Sequence, residues 1–214
     1  MLDLSSLTGK DSIDVQLLHL LAYQTLLEYK CDFLPVRICD VLPNSKCKFI
    51  SYSHLAHNFS CGIDYIYEMY GMYGAINYSC EESRYIVIYN KPQDRKELFY
   101  MHSLAIAYIE LGFVKTVGFT PLSDENQAVR EYANCLLAPN VVLQEAGIVT
   151  ARAIMKATNL SFANALLKER QLKKERLTNL IHKRTIMEKL LLEQYSDFVE
   201  RLQGAREDSK LDSK

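Results

Sequence analysis

The spacing of hydrophobic and polar positions changes several times along the chain, and each change predicts a new element. Residues 12–30 carry leucines near helical spacing, which predicts an opening helix. Pro35 then predicts a second, short helix that runs through Val41. The first fifth of the chain is therefore expected to be helical.

Three segments that follow favour strands and turns. Residues 47–52, Cys-Lys-Phe-Ile-Ser-Tyr, alternate apolar and polar side chains and predict a strand. Residues 65–78 are rich in tyrosine, and Gly71 and Gly74 suggest turns around a short strand. Residues 84–90, Arg-Tyr-Ile-Val-Ile-Tyr-Asn, are dense in β-branched and aromatic side chains, so they give the strongest strand prediction.

Helical spacing returns in the second half. Residues 90–94 predict the start of a helix and Gly112 predicts its end. Residues 125–137 predict another helix, and residues 141–172 predict short helices broken near Thr158.

The C-terminal region contains no glycine or proline between Ala163 and Gly204. This predicts one helix of about 40 residues, which would be about 60 Å long at 1.5 Å per residue. Its apolar stripe is formed by Leu177, Ile181, Met187, Leu191, Phe198 and Leu202. Such a stripe needs a partner surface, and a homodimer through this helix is one way to cover it.

Together these elements predict an α+β fold, with a small mixed β-sheet packed by helices and an all-helical C-terminal region that includes the long helix. We expect a sheet-containing domain over residues 1–140, a helical pair over residues 141–172, and a long helix with a polar tail over residues 173–214.

Composition narrows the functional classes. The chain has 214 residues, of which 49% are hydrophobic and 24% charged, with a net charge of −1, so no overall field steers it toward nucleic acid or an anionic membrane. No apolar run approaches the length of about 20 residues that spans a bilayer, and the N-terminus lacks signal-peptide features. The six cysteines are scattered, as expected of reduced thiols. We expect a cytoplasmic protein with no membrane association.

Four blocks, taken in order, are similar to a known family. They are residues 26–36 (Leu-Leu-Glu-Tyr-Lys-Cys-Asp-Phe-Leu-Pro-Val), residues 84–90, residues 95–102 (Arg-Lys-Glu-Leu-Phe-Tyr-Met-His) and residues 132–139 (Tyr-Ala-Asn-Cys-Leu-Leu-Ala-Pro). The ordered set resembles the ImmA/IrrE family of zinc metallopeptidase-like proteins over roughly residues 15 to 172. The resemblance implies a zincin-like arrangement of helices in the first domain.

The zinc motif of that family is degenerate here. Active members carry His-Glu-x-x-His, in which two histidines one turn apart bind zinc and the glutamate activates the bound water. This chain has His102-Ser-Leu-Ala-Ile106 at that place. Ser103 cannot act as the general base near neutral pH, and Ile106 cannot bind a metal.

The third ligand of active members is a glutamate shortly before the block at residues 132–139. Counting back along this sequence reaches Asn126, with Glu125 and Glu131 on either side. The residual metal candidates are therefore His102 and Glu131, which fall short of the three protein ligands of a catalytic zinc.

The resemblance thus implies a pseudoprotease: a non-catalytic regulatory or protein-interaction module that acts on a transcriptional repressor or host factor of a phage or mobile element. We expect no cofactor and no catalytic residue, and we expect His102 to be a hydrogen-bonded core residue. The alternative is a zinc metalloendopeptidase with rearranged ligands, in which His102 is joined by Glu110, Glu125, Glu131 or a cysteine.

A relocated metal site is a further alternative. His54 and His57 form a His-x-x-His with Cys47 and Cys61 nearby in sequence. The interpretation that we favour places both histidines in a surface turn or short helix.

The tyrosine-rich stretch supplies candidates for partner binding, namely Tyr65, Tyr67, Tyr70 and Tyr73. Tyrosine and methionine are typical of interfaces because they bury a large area. The other interpretation is that these rings only cover the sheet and the vacant cleft.

The basic stretch that follows the helical pair supplies candidates for nucleic-acid binding: Lys168, Arg170, Lys173, Lys174 and Arg176. In relatives the pair at residues 148–172 resembles a helix-turn-helix, so a DNA-binding regulator is another alternative. A solvated face of a long helix explains the same charges, and we favour that interpretation.

Overall fold

The computed structural model describes residues 14–37, 41, 46–91, 94–178 and 184–211. The helices in these ranges are α1 (Val15–Glu28), α2 (Tyr52–Phe59), α3 (Ile63–Tyr70), α4 (Arg95–Glu110), α5 (Gln127–Leu137), α6 (Asn140–Glu145), α7 (Ala151–Ala157), α8 (Phe162–Thr178), α9 (Ile186–Gln194) and α10 (Ser196–Leu211). The strands are β1 (Cys47–Ser51), β2 (Gly74–Ser79), β3 (Arg84–Tyr89) and β4 (Thr120–Pro121).

The strands form one mixed sheet in the order β1-β3-β2-β4. β1 runs parallel to β3, and β2 runs antiparallel to both β3 and β4. The predicted α+β class, with a small mixed sheet and a helical C-terminal region, is confirmed. The strand predictions at residues 47–52 and 84–90 are confirmed too, although Tyr52 already belongs to α2.

By contacts the chain divides into two compact units. Among the described residues, the first unit comprises residues 14–15 and 46–133, and the second comprises residues 16–37, 41, 134–178 and 184–211. The division falls inside α5, after Ala133. The predicted domain limits after residues 140 and 172 stay predictions.

In the first unit, both faces of β3 are in contact with helices. Ile88 belongs to a buried cluster with Tyr52 and Ala56 of α2 and Ile66 of α3. Because successive side chains of a strand point to opposite faces, Tyr89 lies on the other face, where its ring contacts His102 of α4. The sheet therefore positions α4, which carries the degenerate motif.

In the second unit, hydrogen bonds join α9 to the C-terminal end of α1. The side-chain amide of Gln194 donates to the carbonyl of Leu26 at 3.0 Å, and also to that of Cys31. The Leu26 carbonyl also accepts from the backbone N–H of Cys31 at 2.9 Å. Gln194 thus fixes the turn that follows α1 to the last residue of α9.

The prediction of one helix of about 40 residues is wrong. Arg184 and Thr185 are not helical, and α9 begins after them. The Thr185 hydroxyl accepts from the backbone N–H of Glu188, and the Glu188 carboxylate accepts from the backbone N–H of Thr185. This capping box starts a new helix without any glycine or proline, which is why composition did not reveal the break.

The turns predicted around residues 65–78 are only partly right. β2 does begin at Gly74, but residues 63–70 form α3. Ile66 and Tyr70 lie one turn apart on this helix and both contact the buried cluster of the first unit. That tertiary contact outweighs the strand preference of the aromatic residues.

Three further predictions concern local features. The break near Thr158 is confirmed, since α7 ends at Ala157 and α8 begins at Phe162. The short helix predicted from Pro35 does not begin there, since Pro35 to Arg37 are not helical; residues 38–40 lie outside the described residues. Within the described ranges, no helix has the length and apolar content that a bilayer crossing requires.

Gly74 provides a test of the sheet. Its φ is +130°, and a Cβ built on it would lie 2.1 Å from the carbonyl oxygen of Ile88 on β3. We expect Gly74→Ala to lower the free energy of unfolding by about 3 kcal/mol, because the clash is with backbone and the conformation suits only glycine. Denaturant unfolding measures the change.

Gly62 is the matched control, because its φ is −71° and a Cβ there meets nothing within 4 Å. Gly62→Ala should cost about 1 kcal/mol or less, the usual range at a helix N-cap. Equal losses for the two variants would contradict the packing described for Gly74.

Candidate functional site

Helix α4 is fixed at both ends. The Asp94 carboxylate accepts from the backbone N–H of Lys96 at 2.8 Å and so caps the first turn. At the other end Gly112 has a φ of +71°, the conformation that commonly ends a helix. The sequence predicted this helix and its end, and the structure confirms both.

His102 lies in an aromatic slot. Its ring centroid is 4.3 Å from that of Phe49 on β1 and 5.7 Å from that of Tyr89 on β3. Burial lowers the pKa of His102 to about 4, so the imidazole is neutral at pH 7. Its Nε2 is buried and has no hydrogen-bond partner within the described residues. The ring is thus largely buried as expected, but the hydrogen bond expected of a core histidine is not made by this nitrogen.

The two degenerate positions belong to the core. Ser103 is fully buried, and its hydroxyl donates to the carbonyl of Tyr100 at 2.6 Å. Ile106 is fully buried one turn further along α4. The two positions thus hold a backbone-bonded hydroxyl and a packed hydrocarbon, neither of which can act as a general base near neutral pH or as a metal ligand.

Asn126, the residue reached by counting back to the third zinc ligand, also has a structural role. The side-chain oxygen of Asn126 accepts from the backbone N–H groups of Ala128 at 2.9 Å and Val129 at 3.4 Å. These are the bonds of an N-cap, so Asn126 starts α5. The flanking Glu125 is exposed and Glu131 is half-buried.

The relocated ligands are not gathered into a site either. His54 and His57 are exposed on α2, a short helix, as the favoured interpretation expected. Cys47 is buried in β1, and burial raises the pKa of its thiol to about 12. Over the described ranges, no three His, Cys, Asp or Glu side chains are grouped so that they could hold a metal ion.

A polar cluster around Asp124 was missed by sequence reasoning. The hydroxyls of Tyr73 and Tyr100 donate to one oxygen of the Asp124 carboxylate at 3.3 and 3.4 Å. Burial first, and then the Asp124 charge, raises the pKa of both phenols. A guanidinium N–H of Arg130 donates to the Asp124 carbonyl at 3.2 Å. The partners are far apart in sequence, so no local pattern could have brought them together.

The four candidate tyrosines therefore divide into two pairs. Tyr73 is held by Asp124, and Tyr70 packs edge-on against Phe119 with 5.3 Å between ring centroids. Tyr65 and Tyr67 are exposed on α3. Tyr70 and Tyr73 pack on the interior, whereas Tyr65 and Tyr67 are exposed, so partner binding stays a prediction for the exposed pair.

The exposed pair is part of a larger apolar surface. Six large side chains of α2, α3 and the turn after it are exposed, from 43% at Tyr67 to 70% at Phe59. We call this set the α3 surface: Phe59, Ile63, Tyr65, Tyr67, Met69 and Met72. Isolated exposed apolar residues are common, whereas a concentration of six within fourteen residues is of the kind that contact surfaces have.

Lys168 must be removed from the nucleic-acid candidates. It is only 2% exposed, and its ammonium group donates to the Asn140 side-chain oxygen at 2.7 Å. The Asn140 amide in turn donates to Glu175 at 2.6 Å. Lys168 therefore joins α8 to α6 inside the second unit and cannot reach a phosphate from there.

A buried histidine lies beside this network. The nearest ring nitrogen of His19 is 3.9 Å from the Glu175 carboxylate, which is too far for a hydrogen bond, while the other contacts Gln171 at 3.1 Å. Burial, with a smaller contribution from the Lys168 charge, lowers the pKa of His19 to about 3. The sequence gave no local signal for this network, since α1, α6 and α8 meet only in the folded chain.

The other four basic candidates are exposed on α8: Arg170, Lys173, Lys174 and Arg176. Lys173 forms an ion pair with Glu169 one turn before it, at 2.5 Å. Exposed pairs of this kind contribute little stability. The favoured interpretation as a solvated face and the alternative of phosphate contact both stay predictions for these four residues.

Removing Lys168 should destabilise the second unit. Lys168→Met would leave the buried oxygen of Asn140 without its donor, and we expect a loss of about 2 kcal/mol in unfolding free energy. Arg170→Met, two residues away but exposed, should change it by about 0.5 kcal/mol or less. Denaturant unfolding of both variants tests the assignment, and a loss confined to Arg170→Met would refute it.

The aromatic slot predicts a pH dependence. The unfolded chain takes up the His102 proton near pH 6.5, whereas the folded chain resists it until about pH 4. Stability should therefore fall as the pH drops from 6.5 to 4, by up to about 3 kcal/mol from this residue.

His102→Phe, which keeps a ring between Phe49 and Tyr89, should remove this contribution. The difference in unfolding free energy between wild type and variant should be constant above pH 7 and shift in favour of the variant below it. A difference that stays constant down to pH 4 would contradict the burial described for His102.

Comparison of the chain with protein-family models, with curated proteins and with solved structures finds no match in any of the three. The functional conclusion therefore depends on the residues and on the geometry described above.

Proposed function

We propose that the chain is a non-catalytic, ImmA/IrrE-like module that regulates by binding another protein, such as a transcriptional repressor or a host factor of a phage or mobile element. One observation carries the proposal: the position of the second zinc histidine is held by Ile106, buried in the core beneath α4. A hydrocarbon there cannot bind metal, and no water-activating base follows His102.

The placement of the resembling blocks supports the same proposal. Residues 84–90 lie on β3, residues 95–102 open α4, and residues 132–139 begin on α5. Three of the four blocks thus lie largely on a regular element, in the order that the resemblance requires, whereas residues 29–36 of the first block are neither helix nor strand. In this proposal the chain retains the scaffold of the family that it resembles and uses it to bind another protein.

Two of the positions at which the resemblance expects catalytic or metal-binding groups hold side chains that bond to the backbone instead. This also supports a loss of catalysis. Ser103 is bonded to the carbonyl of Tyr100, and Asn126 caps α5. A hydrolytic zinc needs three protein ligands and an open position for water. Among these positions only His102 retains a group that binds zinc.

The second candidate function is a zinc endopeptidase with rearranged ligands. It is favoured by the buried Nε2 of His102, which has no hydrogen-bond partner within the described residues. A buried polar atom of this kind is costly and demands a reason. The ligands proposed to join it, Glu110 and Glu125, are exposed, and Glu131 is half-buried.

Two further parts of the proposal come from the sequence: a cytoplasmic location and a homodimer through the C-terminal helices. Of the apolar stripe that suggested the homodimer, Leu191 is buried within the chain, whereas Met187, Phe198 and Leu202 are half-buried. The side chains of Leu177 and Ile181 lie outside the described part of the chain. A dimer would use the partly exposed members of this stripe.

Metal content and partner integrity test the two candidates together. We expect the full chain, purified with zinc in the buffer, to hold far less than one zinc per molecule by native mass spectrometry, with no change in His102→Phe. A protein partner recovered from native cells should remain at full length during incubation with the chain and zinc.

The opposite pattern would support the endopeptidase. One tightly held zinc that disappears in His102→Phe, together with cleavage of the partner that disappears in the same variant, would end the proposal. Failure to recover any specific partner would also count against it.

A further inference from the structure

The α3 surface is rigidly presented. Ile66 anchors α3 in the buried cluster with Tyr52, and the Tyr52 hydroxyl donates to the carbonyl of Gly71 at 2.8 Å. The backbone N–H of Gly71 bonds to the carbonyl of Tyr67 at 2.8 Å and closes the last turn. Apolar side chains on such a support lose little conformational entropy when a partner binds.

Apart from histidine, the stretch of chain that carries this surface has charged side chains of one sign only. The sequence between Phe49 and Ser83 contains no lysine or arginine, although the whole chain has 25. Asp64 and Glu68 are both exposed on α3, among the apolar side chains. The chain as a whole is close to neutral, so the negative character of the surface is local.

The nearest cations along the chain are already engaged. Lys48, just before this stretch, contacts the Glu82 carboxylate at 3.3 Å, and Arg84, just after it, bonds to the same carboxylate at 2.7 Å. Neither is therefore placed to neutralise Asp64 or Glu68 without giving up this contact. Residues 49–83 themselves offer no lysine or arginine to Asp64 and Glu68, so these carboxylates are suited to a partner that brings positive charge.

We propose that the α3 surface docks a basic, amphipathic segment of a protein partner, in which lysine or arginine alternates with large apolar side chains. This inference rests on the proposed function, because it names the chemistry of the partner that the module binds. Apolar side chains of the segment pack on Met69, Met72 and Ile63. Its cations lie over the rings of Tyr65 and Tyr67 and beside the two carboxylates.

Charge decides between this occupant and two others. A second copy that docked the same surface face to face would bring Asp64 and Glu68 against their own copies, which repels. An anionic lipid surface would be repelled for the same reason. A basic segment satisfies both the apolar area and the carboxylates, so it is the occupant to which the inference commits.

Two labelled synthetic peptides form the probe. They carry identical large apolar residues at alternate positions, and the positions between them hold lysine and arginine in one peptide and glutamate in the other. Fluorescence anisotropy with the full chain should show binding of the basic peptide, weakened by added salt, and at least tenfold weaker binding of the acidic one. Equal binding of the two peptides, or no binding of the basic one, overturns the inference.

Variants locate the contact. Tyr65→Ser with Met69→Ser should weaken binding of the basic peptide about tenfold or more. The matched control is Phe162→Ser with Leu167→Ser, which removes two exposed apolar side chains of α8. The control should bind as wild type does, and an equal loss in both double variants overturns the inference.

Reversal of the charge on α3 tests the electrostatic part of the inference most directly. Asp64→Lys with Glu68→Lys should transfer the preference from the basic to the acidic peptide, while circular dichroism checks that the fold is kept. The variant Asp64→Asn with Glu68→Gln removes both negative charges and adds no positive one. It should weaken binding of the basic peptide without creating affinity for the acidic peptide. Unchanged preference in both variants overturns the inference.

Sedimentation tests the two other occupants of the α3 surface, which are a second copy of the chain and a lipid surface. Self-association of the wild-type chain in sedimentation, lost in the Tyr65 and Met69 double variant, would assign the surface to a second copy and overturn the inference. Sedimentation with neutral and anionic vesicles, lost in the same variant, would assign it to lipid with the same consequence.

The natural partner separates failure of this inference from failure of the proposed function. A partner that binds the wild-type chain and all α3 variants equally would overturn the docking site but leave the non-catalytic module intact. Zinc-dependent cleavage of that partner would overturn the module, whatever the peptides do.

Discussion

The packing of α4 against the sheet is the contact on which the candidate site depends. Phe49 and Tyr89 enclose the ring of His102, and Ile106 is fully buried one turn later. Protein interiors are filled as densely as crystals of small molecules, so a side chain in such a place cannot be exchanged without a loss of packing. Helix α4 is thus held in place by hydrocarbon and aromatic contacts.

This arrangement explains how chemistry and stability are linked at the site. A histidine at the position of Ile106 would have to bury a polar ring in the core, and its cost would be recovered only by binding a metal. Isoleucine gains burial without any ligand. Ser103 and Asn126 follow the same logic, because each now satisfies backbone groups of a helix. Among the side chains of His102, Ser103 and Asn126, the Nε2 of His102 is the buried atom that the described residues leave without a hydrogen bond.

The two units use polar side chains in different ways. In the second unit, hydrogen bonds run from Lys168 to Asn140 and from Asn140 to Glu175. Each polar group in this chain of bonds has its partner within the same unit. In the first unit the carboxylates of Asp64 and Glu68 are exposed among apolar side chains. One arrangement joins helices of the same chain, and the other is suited to recognition of a different one.

The sequence by itself was enough for the features that depend on neighbours along the chain. The strand at Cys47–Ser51 follows from alternating apolar and polar residues, the strand at Arg84–Tyr89 follows from β-branched and aromatic composition, and the end of α4 follows from Gly112. The absence of an imidazole at position 106 is also visible in the sequence, because the identity of a side chain is fixed by covalent structure.

Only the tertiary structure decided which side chains are free to act. Lys168 and Arg170 look alike in sequence, yet one is buried against Asn140 and the other is exposed. Tyr65 and Tyr73 share one tyrosine-rich stretch, but Asp124, 51 residues further on, holds only the second. The physical reason is that burial and hydrogen bonding depend on residues that are distant along the chain, and their approach is set by the packing of the whole unit rather than by local spacing.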